Sequence, residues 1–302
     1  MIDDIRDKLY IDHKDVLGLN FIKDPGTYIY RRHYRQGMRS HIMEVLDPKD
    51  VENEVKGIVI DGLKLYPRAQ PLNMLRIFRT RFNALKNAEE EVRRVKTIEA
   101  YLFPDNLARS SEFIVDYVRQ GKRELILCGL QEYVKGAALE PWSHLGKDQM
   151  ASLLYDMVFE KVDDPVMITD RWIHIMREKA ENFIGKIKQM IMETNHVPDL
   201  AGVGNLFLTR SGDIKLVDIN NISMVSFDPI IHLDDRGYPV CDKSIEALSL
   251  LEQKLLGKTL QSNDIIYKTF LDPIRMKEVQ AIDKEFHRSL ELDMSSSESS
   301  SP

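Results

Sequence analysis

The stretch that decides the fold is Val197-Pro198-Asp199-Leu200-Ala201-Gly202-Val203-Gly204-Asn205-Leu206-Phe207-Leu208-Thr209-Arg210-Ser211-Gly212-Asp213-Ile214-Lys215-Leu216-Val217-Asp218. Two apolar runs, 206–209 and 214–217, flank the turn pair Ser211-Gly212 and predict a tight β-hairpin. Asp199, Asn205 and Asp218 lie at the edges of that hairpin, so folding it gathers three oxygen-bearing side chains at one end. Phosphoryl transfer needs such a trio: one carboxylate to orient or deprotonate the acceptor, and an amide with a second carboxylate to hold Mg²⁺ on the phosphates of ATP. Asp and Asn are also the common turn-capping residues, and for an isolated pair that structural role is the alternative.

Working outward, Ile173, Met176, Ala180, Phe183, Ile187 and Met190 recur at helical spacing and predict a long helix over 170–195, ahead of the hairpin. Further helices are predicted over 243–256 and 272–290. Upstream of Gly136 the pattern is different. Strands are predicted over 57–66 and 73–78, a helix over 83–102 with Leu85, Ala88, Val92, Val95, Ile98 and Leu102 on one stripe, then strands over 112–119 and 123–130 around the turn residues Gln120-Gly121-Lys122. The expected class is therefore α+β, a small antiparallel sheet with one helix followed by a mainly helical part. The expected organisation is an N-terminal basic extension over 1–50, a sheet-bearing part over 51–135, a helical part over 136–290, and a Ser-rich tail over 291–302. That tail ends in a Ser/Glu run with no apolar residue to bury, so it is expected to be disordered.

Composition narrows the classes. The 302 residues carry 42 Lys+Arg and 48 Asp+Glu, a formal net charge of −6, and 43% are hydrophobic, enough for a sizeable core. An acidic whole argues against nucleic acid as partner. The basic cluster Arg31, Arg32, His33, Arg35, Arg39 and His41 reads either as a solvated surface or as a phosphate- or partner-binding patch. No apolar run approaches the roughly 20 residues of a membrane helix, so no membrane partner is expected. The acidic start Met1-Ile2-Asp3-Asp4 is unlike a signal peptide, and a cytoplasmic location is expected. Cys128 and Cys241 are too few for a disulfide framework or a thiolate metal site and are expected as buried thiols. The histidines form no His-Glu-x-x-His pair, and no Gly-x-Ser-x-Gly elbow supports acyl transfer.

The segment from Asp199 to Asp218 resembles the catalytic and metal-binding loops of the protein-kinase-like superfamily, which carry Asp, then Asn, then a hairpin ending in a metal-binding Asp. The 13-residue separation of Asn205 and Asp218 is common in that superfamily. Leu130-Gln131-Glu132-Tyr133-Val134-Lys135-Gly136 looks like its hinge between lobes. The resemblance covers most of residues 57–257. It implies a two-lobed fold and an ATP-dependent phosphotransferase that moves the γ-phosphoryl of Mg-ATP to an acceptor, small molecule or protein. Residue by residue, it implies Asp199 as catalytic base, Asn205 and Asp218 as Mg²⁺ ligands, and Glu132 and Val134 as backbone contacts to adenine. Arg76 stands where the family has its phosphate-gripping lysine, and Glu91 stands for that residue's helix partner. Lys64 is the alternative to Arg76.

The chain also departs from the pattern. Asp199 and Asn205 are six residues apart, where the kinase catalytic loop has about five. The metal loop reads Asp218-Ile219-Asn220 in place of Asp-Phe-Gly. Between residues 50 and 72 only Gly57 and Gly62 occur, so no glycine-rich phosphate loop is visible there. Arg for Lys is not a conservative exchange. These departures support a rival reading, a pseudokinase scaffold that acts by binding a partner. Asp242, at the start of the helix over 243–256, reads either as an N-cap or as the family's brace for the catalytic loop.

Overall fold

The computed structural model describes residues 4–35, 37, 39–157, 165–261 and 263–298. The chain divides into two compact units, one made of residues up to Arg93 together with Ala108–Tyr133, the other of Arg94–Leu107 together with Val134 onward.

The first unit contains α1 (His13–Leu17), β1 (Ile29–Arg32), β2 (Ser40–Leu46), α2 (Pro48–Lys56), β3 (Ile58–Ile60), β4 (Leu63–Leu65), β5 (Asn73–Phe78), the start of α3 (Leu85–Leu102), β6 (Ser110–Arg119) and β7 (Lys122–Glu132). Five of the strands form an antiparallel sheet in the order β1-β2-β5-β7-β6. The β6–β7 hairpin lies where the sequence predicts it. Gln120 and Gly121 both take positive φ, 50° and 76°, the conformation a two-residue hairpin turn demands.

Two expectations are corrected. The segment over 1–50 is not an extension but part of this unit. It supplies β1 and β2, and Ile5, Ile11, Val16 and Leu19 join Met43, Val45, Leu75, Ile77, Ile126 and Cys128 in one apolar core. The run over 57–66 is not one strand. Asp61 and Gly62, at φ 51° and 77°, fold it into the separate hairpin β3–β4, whose side chains are mostly exposed. The strand beside β5 is β2, buried along nearly its whole length. The basic cluster is largely compensated in place. Arg31 pairs with Glu44 at 2.7 Å and Glu54 at 2.8 Å, His33 with Glu44 at 2.9 Å, and the buried His41 ring donates to the Ile5 carbonyl at 2.8 Å.

The second unit contains the end of α3, then β8 (Gly136–Ala138), α4 (Lys147–Met157), α5 (Pro165–Thr194), β9 (His196–Pro198), β10 (Leu206–Thr209), β11 (Ile214–Leu216), β12 (Ile222–Met224), α6 (Val240–Leu256), α7 (Ile265–Phe270) and α8 (Pro273–Glu298). The stripe predicted on α5 is buried from Ile173 to Met190 and packs against Ile245, Leu248 and Leu251 of α6. Asn195, at φ 54°, ends α5 in the left-handed conformation that Asn tolerates, and Gly257, at φ 65°, ends α6 the same way. Helix α8 runs eight residues past the predicted end at 290, because propagating a helix costs far less than starting one. The tail expected over 291–302 therefore falls on this helix as far as Glu298, and its last residues lie outside those described. Cys128 and Cys241 are free and buried, and burial pushes both thiols up to about 12. Among the described residues no helix is long and apolar enough to cross a membrane.

Candidate functional site

The decisive stretch is held by two small antiparallel sheets of the second unit, β11-β10-β8 and β12-β9. Leu206 pairs with Leu216, and the Val217 N–H donates to the Asn205 carbonyl at 2.9 Å, closing the base of the β10–β11 hairpin. Asn205 thus ends one side of that base and Asp218 follows the other. Val197 pairs with Ser223, and the Asp199 N–H continues this ladder by donating to the Asn221 carbonyl at 2.9 Å. The loop from Asp199 to Asn205 is therefore tied at both ends to the segment that carries Asp218.

Within the loop, one carboxylate oxygen of Asp199 accepts from the N–H groups of Ala201 and Gly202, each at 3.0 Å, and the other from the Asn221 side-chain amide at 2.8 Å. The Asn205 Nδ2 donates to the Asp199 carbonyl at 2.9 Å. Gly202 makes room for this. A Cβ there would stand 2.3 Å from Asn205 Nδ2, so only glycine lets the amide lie against the backbone. Gly204, at φ 74°, takes the left-handed step that absorbs the extra loop residue.

Three supports were not evident from the sequence. Ser244 Oγ, on α6, accepts from the Leu200 N–H at 3.2 Å, Glu140 accepts from the Gly204 N–H at 2.9 Å, and Asn221 clamps the Asp199 carboxylate. Asn221 carried a faint signal as a second amide after Asp218, whereas Ser244 and Glu140 are distant in sequence and carried none. Asp242 takes neither of its two expected roles. The N-cap position of α6 is Pro239, and Asp242 is buried in an ion pair with Arg275, with Nε at 2.6 Å.

The electrostatics follow from this packing. Asp199 and Asn205 are buried and Asp218 half-buried. Burial pushes the Asp199 carboxyl up from its usual range, and the negative charge of Asp218 adds to the rise. The hydrogen bonds from Gly202, Asn221 and Ala201 offset only part of it. Two neighbouring carboxylates with amide oxygens beside them are the donor set a hard divalent cation prefers. Among the described residues no group of three or more His, Cys, Asp or Glu side chains could hold a metal, so protein carboxylates alone do not make a cage. Mg²⁺ held partly by nucleotide phosphates does not require one.

The remaining predicted residues lie elsewhere. Arg76 is buried on the central strand β5, paired with Ile42 and Gly129 on either side, its guanidinium 5.3 Å from the Phe78 ring. Lys64 is on the exposed β3–β4 hairpin, its ammonium 5.4 Å from the Tyr66 ring. Glu91 is on α3 within the first unit, and Glu132 ends β7 with its N–H donating to the Arg109 carbonyl at 2.8 Å. Val134 is buried at the start of the second unit's main segment. The structure thus brings together Asp199, Asn205 and Asp218 in one unit, while Arg76, Glu91 and Glu132 belong to the other.

No family model and no curated protein sequence matches the chain.

Proposed function

We propose that the protein is a kinase-like, ATP-dependent phosphotransferase that passes the γ-phosphoryl of Mg-ATP to an acceptor oriented by Asp199. The observation that carries this reading is the Asn205 amide. Its nitrogen is committed to the Asp199 carbonyl, which fixes the side chain beside the base and makes Oδ1 the atom that would serve as a ligand. A carboxylate offers about four acceptor positions. Asp199 uses three of them internally, so one position remains for the hydroxyl of an acceptor. Its raised affinity for a proton suits it to take that proton.

Asn205 and Asp218 would hold the cation. When bound, Mg²⁺ would supply charge neutralisation on the phosphate oxygens. A pseudokinase scaffold is the second reading, favoured by Arg76 where the family has lysine.

Calorimetric titration of ATP, with and without Mg²⁺, on the wild type and on Asp218→Asn tests the proposal. Metal-dependent binding that the substitution weakens by tenfold or more is the expected result. Absence of binding at millimolar nucleotide overturns it in favour of the scaffold.

A further inference from the structure

The β3–β4 hairpin is the anomaly on the surface of the first unit. Ile58 pairs with Leu65, Val59 with Lys64 and Ile60 with Leu63, so four apolar residues share one face of the hairpin and Val59 and Lys64 share the other. Val59, Ile60, Leu63, Leu65 and Tyr66 are all exposed, Val59 at 71% and Leu63 at 67%, so apolar side chains meet water on both faces. At about 100 Å² exposed apiece these five hold roughly 500 Å², as much apolar surface as a monomer shows in its largest patch. Among the described residues β3 and β4 pair with each other and with no other strand. A lone two-stranded hairpin is marginal in water, and its outer edges are templates for a further strand.

We propose that β3 joins two copies of this chain, its outer edge pairing antiparallel with the same edge of the second copy about a two-fold axis at Val59. Asp61 and Gly62 make a two-residue turn with both φ positive. In such a hairpin the residues that flank the turn exchange both backbone bonds. Ile60 and, two residues back, Ile58 therefore direct their N–H and C=O groups at β4, and those of Val59 point the opposite way, to the outer edge. Across the axis the two Val59 residues satisfy each other, and Ile58 lies opposite Ile60 of the second copy on either side, so every central rung is apolar. Charge selects this edge over the other one. Pairing β4 with itself about Lys64 would set two ammonium groups directly opposite each other, which is unfavourable. Pairing through β3 keeps the two lysines three strand spacings apart, about 14 Å, beyond the Debye length of physiological salt. At the ends of the ladder Asp61 comes opposite Gly57 of the second copy, next to its oppositely charged Lys56. Lys64 then guards β4, the outer edge that remains, as lysines on edge strands do. The contact is isologous and closes on two chains. It is independent of the phosphotransferase reading.

Sedimentation equilibrium of the full chain tests this on the wild type, on Val59→Lys, on Val59→Glu and on an equimolar mixture of the two variants, with a melting curve to show that each variant folds. Val59 is exposed, so a charge there is compatible with the folded chain. The wild type is expected to pass from the 35.0 kDa of one chain to twice that mass across the micromolar range. Each variant alone sets like charges opposite each other at the axis and loses the apolar contact, which should weaken association about tenfold. The mixture sets lysine opposite glutamate and should restore it. A wild type that keeps the mass of one chain through about 100 μM overturns the proposal and leaves the edge to a strand of another protein. Variants that associate as tightly as the wild type overturn it as well. Variants that weaken association without recovery in the mixture overturn the pairing about Val59, and wild-type assemblies larger than two chains overturn the closed contact.

Discussion

Replacing Gly202 by alanine tests the loop geometry without reference to any ligand. The added Cβ would lie 2.3 Å from Nδ2, 2.8 Å from Cγ and 3.0 Å from Oδ1 of Asn205, so the whole amide must rotate away. Rotation breaks the bond from Nδ2 to the Asp199 carbonyl and leaves polar groups of a buried loop unsatisfied. Such a loss costs about 1–3 kcal/mol. Gly202 is not among the glycines with positive φ, so alanine meets no backbone strain and gains about 0.4–1 kcal/mol from a stiffer unfolded chain. The net expectation is a destabilisation of about 1–2 kcal/mol, read as a shift in the urea midpoint at unchanged slope. A double-mutant cycle with Asn205→Ala isolates the cause. Asn205→Ala removes all three of those atoms, and Gly202→Ala on that background should be neutral or slightly stabilising, giving a coupling of about 1–3 kcal/mol, the cost of the lost bond itself. Equal costs on both backgrounds would refute the reasoning, because the added methyl would then be meeting something other than Asn205.

Two further outcomes follow from buried charge. Arg275→Ala strands the buried Asp242 carboxylate and removes donors from the Asp228 and Ile230 carbonyls, so a loss of about 3–5 kcal/mol is expected by urea denaturation. Pairing it with Asp242→Leu should recover much of that loss, and a single-variant cost below about 1 kcal/mol would contradict the assignment. In the first unit, burial alone would raise Asp4, but hydrogen bonds from the Arg6 side chain and backbone and from Arg81 outweigh it and hold the carboxyl well below its usual range. A depressed folded-state pKa stabilises fully above the unfolded value, roughly 4, and that contribution is lost as pH falls below it. Stability measured from pH 5 downward should therefore decline less steeply in Asp4→Asn than in the wild type, and identical slopes would count against this network.

The sequence by itself determined the features whose cause is local. The α5 stripe from Ile173 to Met190 follows from helical periodicity, the β6–β7 hairpin from Gln120-Gly121, and the β10–β11 hairpin from Ser211-Gly212 between apolar runs. The approach of Asn205 to Asp218 follows from that last hairpin, while Asp199 is tied in through the β9–β12 pairing, so only part of the candidate site was legible before its supports were. The β3–β4 hairpin was legible in principle, through Asp61-Gly62, but the apolar residues on both sides read as a single strand.

Only the tertiary structure decided which strand lies beside β5. β2 pairs with it across the whole intervening α2 and β3–β4 segment, and a pairing between segments so far apart leaves no mark in either one's local pattern. The same holds for the loop's supports. Ser244 and Glu140 reach it from α6 and from the residues after β8. A serine or a glutamate becomes a brace only when folding sets it opposite an unmet N–H, and the need to satisfy buried backbone groups is a property of the packed chain as a whole.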